Sequence, residues 1–220
     1  MRDWTVAAAL NNARWCDAVC RAHGHAGRML PHMWVNAATV PRFYPNAVTL
    51  AADAEAQAGQ LANIDILAAS HLPGRWAVKD SFATLDLARR GFDVLLEASW
   101  MRAGLPSEGS PGDIEWRREA RGAQKLPYDD PDFAWFTGRR GSRVVAGGMM
   151  YRAAGVVGLS NVVAEAADAV AVWRSLIVLA AQAFPRLPLV GYESGAELAA
   201  ALDAGFEIGD PLKVWVKSPP

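Results

Sequence analysis

The chain has 220 residues, 52% of them hydrophobic and nine of them tryptophan, and it carries a net charge of −1. That length suits one large or two small domains, with enough apolar residues for a sizeable core. Lys and Arg (22) nearly cancel Asp and Glu (23), and neither half is basic, which excludes a nucleic-acid backbone as an expected partner. The longest apolar stretch, residues 169–184, is broken by Arg174, Ser175 and Gln182, so no membrane span is expected. The start, Met1-Arg2-Asp3-Trp4, lacks the charged, apolar and small-residue regions of a signal peptide. Cys16 and Cys20 give no disulfide framework, and the expectation is a cytoplasmic protein.

In chain order, residues 6–22 read as a helix with Val6, Leu10, Ala13, Asp17 and Cys20 near one stripe, stopped by Gly24 and Gly27. Residues 28–46, with Pro31, Pro41 and Pro45, read as irregular. A short strand is expected at 47–50, then a helix capped by Asp53 and running to about Asn63. Residues 76–78 form a second strand, residues 80–90 a short helix stopped by Gly91, and residues 92–100 a third strand. The segment 103–112 (AGLPSEGSPG) is rich in Gly, Pro and Ser and reads as a linker, dividing the chain into an N-terminal region, 1–105, and a C-terminal domain, 112–220.

Beyond the linker, residues 114–119 fit a strand or a short helix. Residues 133–137, 144–151 and 156–163 read as successive strands joined at Gly138, Gly141 and Gly155. A helix over 168–184 is apolar almost all round, as for one buried against a sheet. Pro185 and Pro188 end it. A buried strand at 189–192, a helix at 195–204 stopped by Gly205, and a strand at 212–217 complete the chain. Strand, long helix, strand is a crossover and predicts a parallel pair between 156–163 and 189–192. The N-terminal half carries an echo of this pattern: a strand from Trp76, a short helix, Gly91-Phe92 and a strand with Trp100 parallel the run from Leu189 through Gly205-Phe206 to Trp215.

The segment from Ser194 to Phe206 (SGAELAAALDAGF) resembles the penultimate helix of the GNAT superfamily of acyl-CoA-dependent N-acyltransferases, written N-x-x-A-x-x-x-Y-x-x-x-G-F. Glycine there ends the helix with positive φ, and phenylalanine starts the last strand facing the core. The resemblance covers about half the chain, and about two-thirds with the N-terminal echo. It implies an α/β (α+β) fold with a mixed, mostly antiparallel sheet flanked by helices, and a tandem of a partial and a more complete GNAT-like half. It also implies acetyl-CoA or another acyl-CoA as donor and a small-molecule amine as acceptor.

Two departures bear on activity. The family's fourth strand runs into a Q/R-x-x-G-x-G/A turn whose backbone N–H groups hold a pyrophosphate at a helix start. Here that stretch is residues 162–169 (VVAEAADA), with no glycine and with Glu165 and Asp168; Asp168 is positioned to cap the helix itself. The family's acid tyrosine falls on Ala201.

The resemblance implies a gap between the fourth and fifth strands. Leu159, Ser160, Asn161 and Val162 would line it on the donor side, and Gly191, Tyr192 and Glu193 on the other. Glu193 and Tyr192 are the catalytic candidates, Glu193 as a base if burial raises its pKa. Asn161, in an apolar run, would as a gap-lining residue be a buried amide that needs partners; the plainer reading makes Ser160 and Asn161 a strand-end turn and Glu193 a cap of the next helix. Lys79, Asp80 and Ser81 hold the echoed position and are the substrate-side candidates; the plainer reading makes Asp80 or Ser81 a helix cap.

Cys16, Cys20 and His23 share a helix face, but zinc needs about four convergent ligands, so core packing is expected and no metal. Arg139, Arg140 and Arg143 form a basic hairpin tip, either solvated or positioned for a phosphate. Asp129, Asp130 and Asp132 read as a solvated loop. Two function classes follow: an acyltransferase in which an amine attacks a thioester, or a non-catalytic GNAT-like module for a small molecule or protein partner.

Overall fold

A computed structural model of the chain describes residues 2–70, 72, 74–104, 114–122 and 124–218. The expected linker lies outside the described residues from position 105 onward. The chain forms two units, one from the described residues up to 98 with those from 210, the other from those between 99 and 209. It passes between them inside two strands, not at the linker.

In the first unit, α1 (Asp3–Ala22) buries Ala9, Ala13, Cys16 and Cys20; of the expected stripe only Ala13 and Cys20 are buried, while Leu10 and Asp17 are half-buried and Val6 is exposed. Residues expected to be irregular form two short strands, β1 (Arg28–Met29) and β2 (Met33–Val35), paired antiparallel. β2 pairs antiparallel with β3 (Ala47–Thr49). Asp53 caps α2 (Ala54–Ala69), its carboxylate accepting from Ala56 N. α2 is the crossover to β4 (Trp76–Asp80), which lies parallel to β3.

The helix expected over 80–90 does not form. The Asp80 carboxylate accepts from the amides of Leu85 (2.8 Å) and Phe82 (3.4 Å) and so pins a turn; only Ala88–Arg90 is helical, as a 3-10 turn. The same side-chain-to-amide bonds that start helices also stabilise turns, which is why the cap signal misleads here.

β5 (Asp93–Ala103) carries the chain into the second unit. There β6 (Glu115–Glu119), β7 (Phe133–Arg140), β8 (Arg143–Ala153) and β9 (Val156–Ala164) form an antiparallel meander. α3 (Ala169–Ala183) packs Leu176 where Gly148 leaves room: a Cβ there would stand 2.9 Å from Leu176 Cδ2. α3 leads to β10 (Leu189–Glu193), which is parallel to β9 as the crossover requires. β10 pairs antiparallel with β5, Tyr192 opposite Trp100 and Glu193 opposite Ser99. α4 (Gly195–Asp203) follows, and β11 (Glu207–Lys217) returns the chain to the first unit, pairing antiparallel with β4.

The strand order is β1-β2-β3-β4-β11 in the first unit and β5-β10-β9-β8-β7-β6 in the second. Pairing within each is antiparallel apart from one parallel pair, joined in each case by a helix. The echo in the sequence thus marks a repeated local arrangement. Gly91 (φ 74°) and Gly205 (φ 111°) both precede a buried phenylalanine. Phe92 meets Trp76 edge-on at 4.9 Å, and Phe206 meets Trp173 edge-on at 5.4 Å. Among the described residues, no helix is long and apolar enough to cross a membrane.

Candidate functional site

Parallel strands joined through a helix stay paired only while their twist keeps them in register. In the second unit β9 and β10 match at two positions, Leu189 with Val157 and Val190 with Gly158. Beyond these, no ladder pair joins Leu159–Val162 to Gly191–Glu193 among the described residues. A Cβ on Gly191 would stand 3.3 Å from the Leu159 carbonyl oxygen and 3.2 Å from Met101 Cε, so glycine lets these backbones lie close. Leu159 is buried, and Ser160 and Val162 are half-buried.

Asn161 is neither a buried amide nor part of a strand-end turn, since it lies within β9. β8 and β9 shift register between Gly147 and Met149, so Asn161 and Val162 oppose the single residue Gly148. This is a β-bulge, which leaves the extra residue outside the ladder. Asn161 has φ 52°, a left-handed conformation asparagine tolerates, and its side chain is exposed to solvent.

Glu193 ends β10 half-buried. Burial, and next the Glu197 carboxylate in the first turn of α4, push its pKa up to about 7, against a backbone bond at Ser194. Sequence inspection missed Glu197; its signal was a second glutamate four residues on. Tyr192 packs edge-on against the buried Trp100 at 5.4 Å. Because successive strand residues face opposite sides, Tyr192 and Glu193 leave β10 in different directions. Ala201, at the position of the family's acid tyrosine, is fully buried.

Asp168 stands at the N-cap of α3, but its carboxylate makes no bond to the helix backbone, correcting the expected cap. It accepts two bonds from Arg140, at 2.6 and 2.9 Å, and Arg140 holds its pKa below the usual carboxylate range. Arg143 bonds Glu165 at 2.9 Å. The basic hairpin tip is therefore ion-paired to the β9–α3 turn.

Lys79, Asp80 and Ser81 belong to the first unit and are buried, at 4%, 0% and 0% exposure. Lys79 Nζ donates to Asn12 Oδ1 at 2.9 Å, and Ser81 N donates to Thr49 Oγ1 at 2.8 Å. Burial raises the Asp80 pKa, while the bonds to Leu85, Thr84 and Phe82 amides oppose the rise. The Ser81–Thr49 bond joins the ends of β4 and β3, so the first unit's parallel pair is stitched where the second unit's pair parts. Neither Asp80 nor Ser81 caps a helix. Cys16 and Cys20 are buried free thiols, pushed up to about 12 and about 11 mainly by burial. Asp130 accepts from Tyr151 Oη and Asp132 from Arg152 Nε, so the expected solvated acidic loop is tied to β8.

The sequence matches no family model and no curated protein. Solved structures do share the fold. A GCN5-related N-acetyltransferase from Kribbella flavida superposes with a TM-score of 0.59 at 13% identity, over 95% of this chain and 96% of that one. Another GCN5-related N-acetyltransferase, from Sphaerobacter thermophilus, gives 0.51 at 12% identity, over 96% and 92%. A functionally unknown conserved protein from Staphylococcus epidermidis gives 0.54 at 9% identity, over 85% and 84%. The chain has a divergent GNAT-like fold.

Proposed function

We propose that the second unit transfers an acyl group from an acyl-CoA thioester to a primary amine, with Glu193 as the base. The observation that carries this is the parting of β9 and β10 beside a half-buried carboxylate. The strand backbone at Leu159–Val162 and Gly191, beyond the two paired positions, suits an extended, amide-bearing chain such as the pantetheine arm, which pairs with strand backbone as any added strand does.

A carboxylate with a pKa near 7 is suited to its task, because about half of it is ionised at neutral pH and it is basic enough to take a proton from the amine. In the step itself the amine nitrogen attacks the thioester carbonyl carbon, the C–N bond forms, and Glu193 accepts the amine proton. Backbone N–H groups beside the bulge polarise the carbonyl oxygen while charge builds there. The C–S bond then breaks and the departing thiolate takes up a proton. The Glu193–Glu197 pair favours an acceptor that arrives as a cation, and Tyr192 lines β10 against Trp100. The buried Lys79, Asp80 and Ser81 support the first unit's framework, and direct substrate contact by them would require that unit to open.

The second reading is a non-catalytic module for a small molecule or partner. It is favoured by one observation, the carboxylates at the β9–α3 turn where a pyrophosphate would need donors. Thermal shift with acetyl-CoA, longer acyl-CoAs and free coenzyme A, followed by single-turnover acylation of simple diamines, separates the two. The enzyme reading expects stabilisation by thioesters and product formation that Glu193→Gln abolishes. Stabilisation with no product from any thioester sinks it in favour of the module.

A further inference from the structure

We propose that Arg42 and Phe43, at the tip of the loop between β2 and β3, form a docking knob for a protein partner whose surface offers an apolar pocket with carboxylates at its mouth. Phe43 is 87% exposed, and its backbone stands at φ 73°. A single exposed apolar side chain is ordinary on a protein surface, but positive φ in a bulky residue is not. Phe43 is thus unfavourable twice over, through lost burial and through backbone strain. Strain of this kind persists only where the surrounding structure over-determines it.

The loop is built to do so. Asn36 and Asn46, each 2% exposed, tie its two ends together. Asn36 N donates to Asn46 O at 2.7 Å, and Asn46 Nδ2 donates to Asn36 O at 2.9 Å and Ala38 O at 3.0 Å. The ends are also fastened outward, Asn36 Nδ2 to His25 O and Asn46 N to Ala77 O, both at 2.8 Å. Beside the tip, Tyr44 N closes a turn onto the Pro41 carbonyl, and the Tyr44 ring leans on Trp15 at 6.3 Å. Pro41 and Pro45 restrict φ on either side. The Phe43 ring is therefore held in one place, and little ordering entropy is lost when a partner takes it up.

Charge selects the partner. The Arg42 guanidinium lies over the Phe43 ring at 4.6 Å and makes no ion pair among the described residues. Arg28 and His25 belong to the same end of the sheet, Arg28 opposite Val35 and His25 bonded to Asn36. Residues 18–52 contain three arginines, three histidines and no carboxylate. Asp17, just before them, is already taken by Arg21, Gly27 and Trp34. An anionic surface is the complement, and like charge disfavours the same tip of a second copy. A lipid surface fits less well. One phenylalanine and two arginines give it only marginal attraction, and a fluid bilayer gains nothing from a rigid, strained presentation. A fixed aromatic ring with a guanidinium over it has the composition of an interface anchor. The knob lies in the first unit and does not depend on the acyltransferase reading.

The test starts with photo-crosslinking of the full chain in the cells that make it, through Phe43→benzoylphenylalanine and, as control on the same loop, Thr39→benzoylphenylalanine. A protein should be joined to position 43 and not to 39. That protein, purified, is titrated calorimetrically with the unmodified chain, Phe43→Ala, Phe43→Gly and Arg42→Glu. Each substitution should weaken binding about tenfold or more, and added salt should weaken the unmodified chain more than Arg42→Glu. Phe43→Gly should leave the urea midpoint unchanged or raised, because glycine relieves the strain and no core contact is lost. A clearly lowered midpoint would give the ring a structural role and overturn the proposal. So would no adduct at 43 above that at 39, an adduct only to a second copy of the chain, or a partner whose affinity ignores Phe43→Ala. Cosedimentation with phosphatidylglycerol-containing vesicles that Phe43→Ala abolishes would overturn it in favour of a lipid surface.

Discussion

Gly191 faces the Leu159 carbonyl across the parting strands so closely that even a methyl group would stand 3.3 Å from that oxygen. Gly191→Ala should therefore push these backbones apart without unfolding the protein. Gly191 has no positive φ, and the flexible Met101 end can move aside, so a stability change of about 1 kcal/mol or less is expected. Pantetheine affinity should fall about tenfold or more. Calorimetry with a parallel urea melt checks both, and undiminished affinity places the arm elsewhere.

The pH dependence of Glu193 has a definite sign. Its folded pKa lies above the ordinary glutamate value of 4.5, so between 4.5 and about 7 the native state binds more protons than the unfolded state. Stability contributed by this group is full below 4.5 and is lost as pH rises through 7. Glu193→Gln should flatten that fall, as followed by urea melts from pH 4 to 8. Acyl transfer should rise with pH through the same region and drop by about 10² or more in the variant. A pH–rate profile flat from 5 to 8 with chemistry rate-limiting contradicts the role of base.

Much of the second unit was legible because its signals are local. Alternating strands with glycine turns, a helix apolar all round, and Gly205-Phe206 each report their own conformation within a few residues. What was missed depends on distant partners. Lys79 reads as a polar strand end, yet it is buried by a bond to Asn12, 67 positions away. Asp168 reads as a cap until Arg140, 28 positions back, claims its carboxylate. Asn161 reads either as a buried amide or as a strand-end turn, but a bulge set by the β8 register keeps it within the strand and turns it outward. β1 and β2, of two and three residues, are too short for any periodicity to show.

Asp17 illustrates a polar residue that a stripe of apolar positions conceals. Its carboxylate accepts from Arg21 Nε (2.6 Å), Gly27 N (2.9 Å) and Nε1 of the fully buried Trp34 (3.1 Å). Asp17→Ala should cost about 2–4 kcal/mol, because it strands the Trp34 donor and releases the turn after α1. A urea midpoint unchanged by the substitution would show that these bonds contribute nothing net.

Cys16 and Cys20 should resist thiol reagents in the folded state. Burial lifts both pKa values above 9, so the native state holds its thiol protons as pH rises, and stability is lost progressively between pH 9 and about 12. Since the thiolate is the nucleophile, labelling at pH 8 should proceed only as fast as the protein opens. Rapid, full labelling under native conditions would place the thiols at the surface.

The most direct measurement is an acetyl-CoA titration followed by backbone amide resonances. Binding at the parting of β9 and β10 predicts saturable shifts concentrated at Leu159–Val162 and Gly191–Glu193, reproduced by pantetheine alone. Shifts confined to other residues, or none at millimolar acetyl-CoA, would contradict the account.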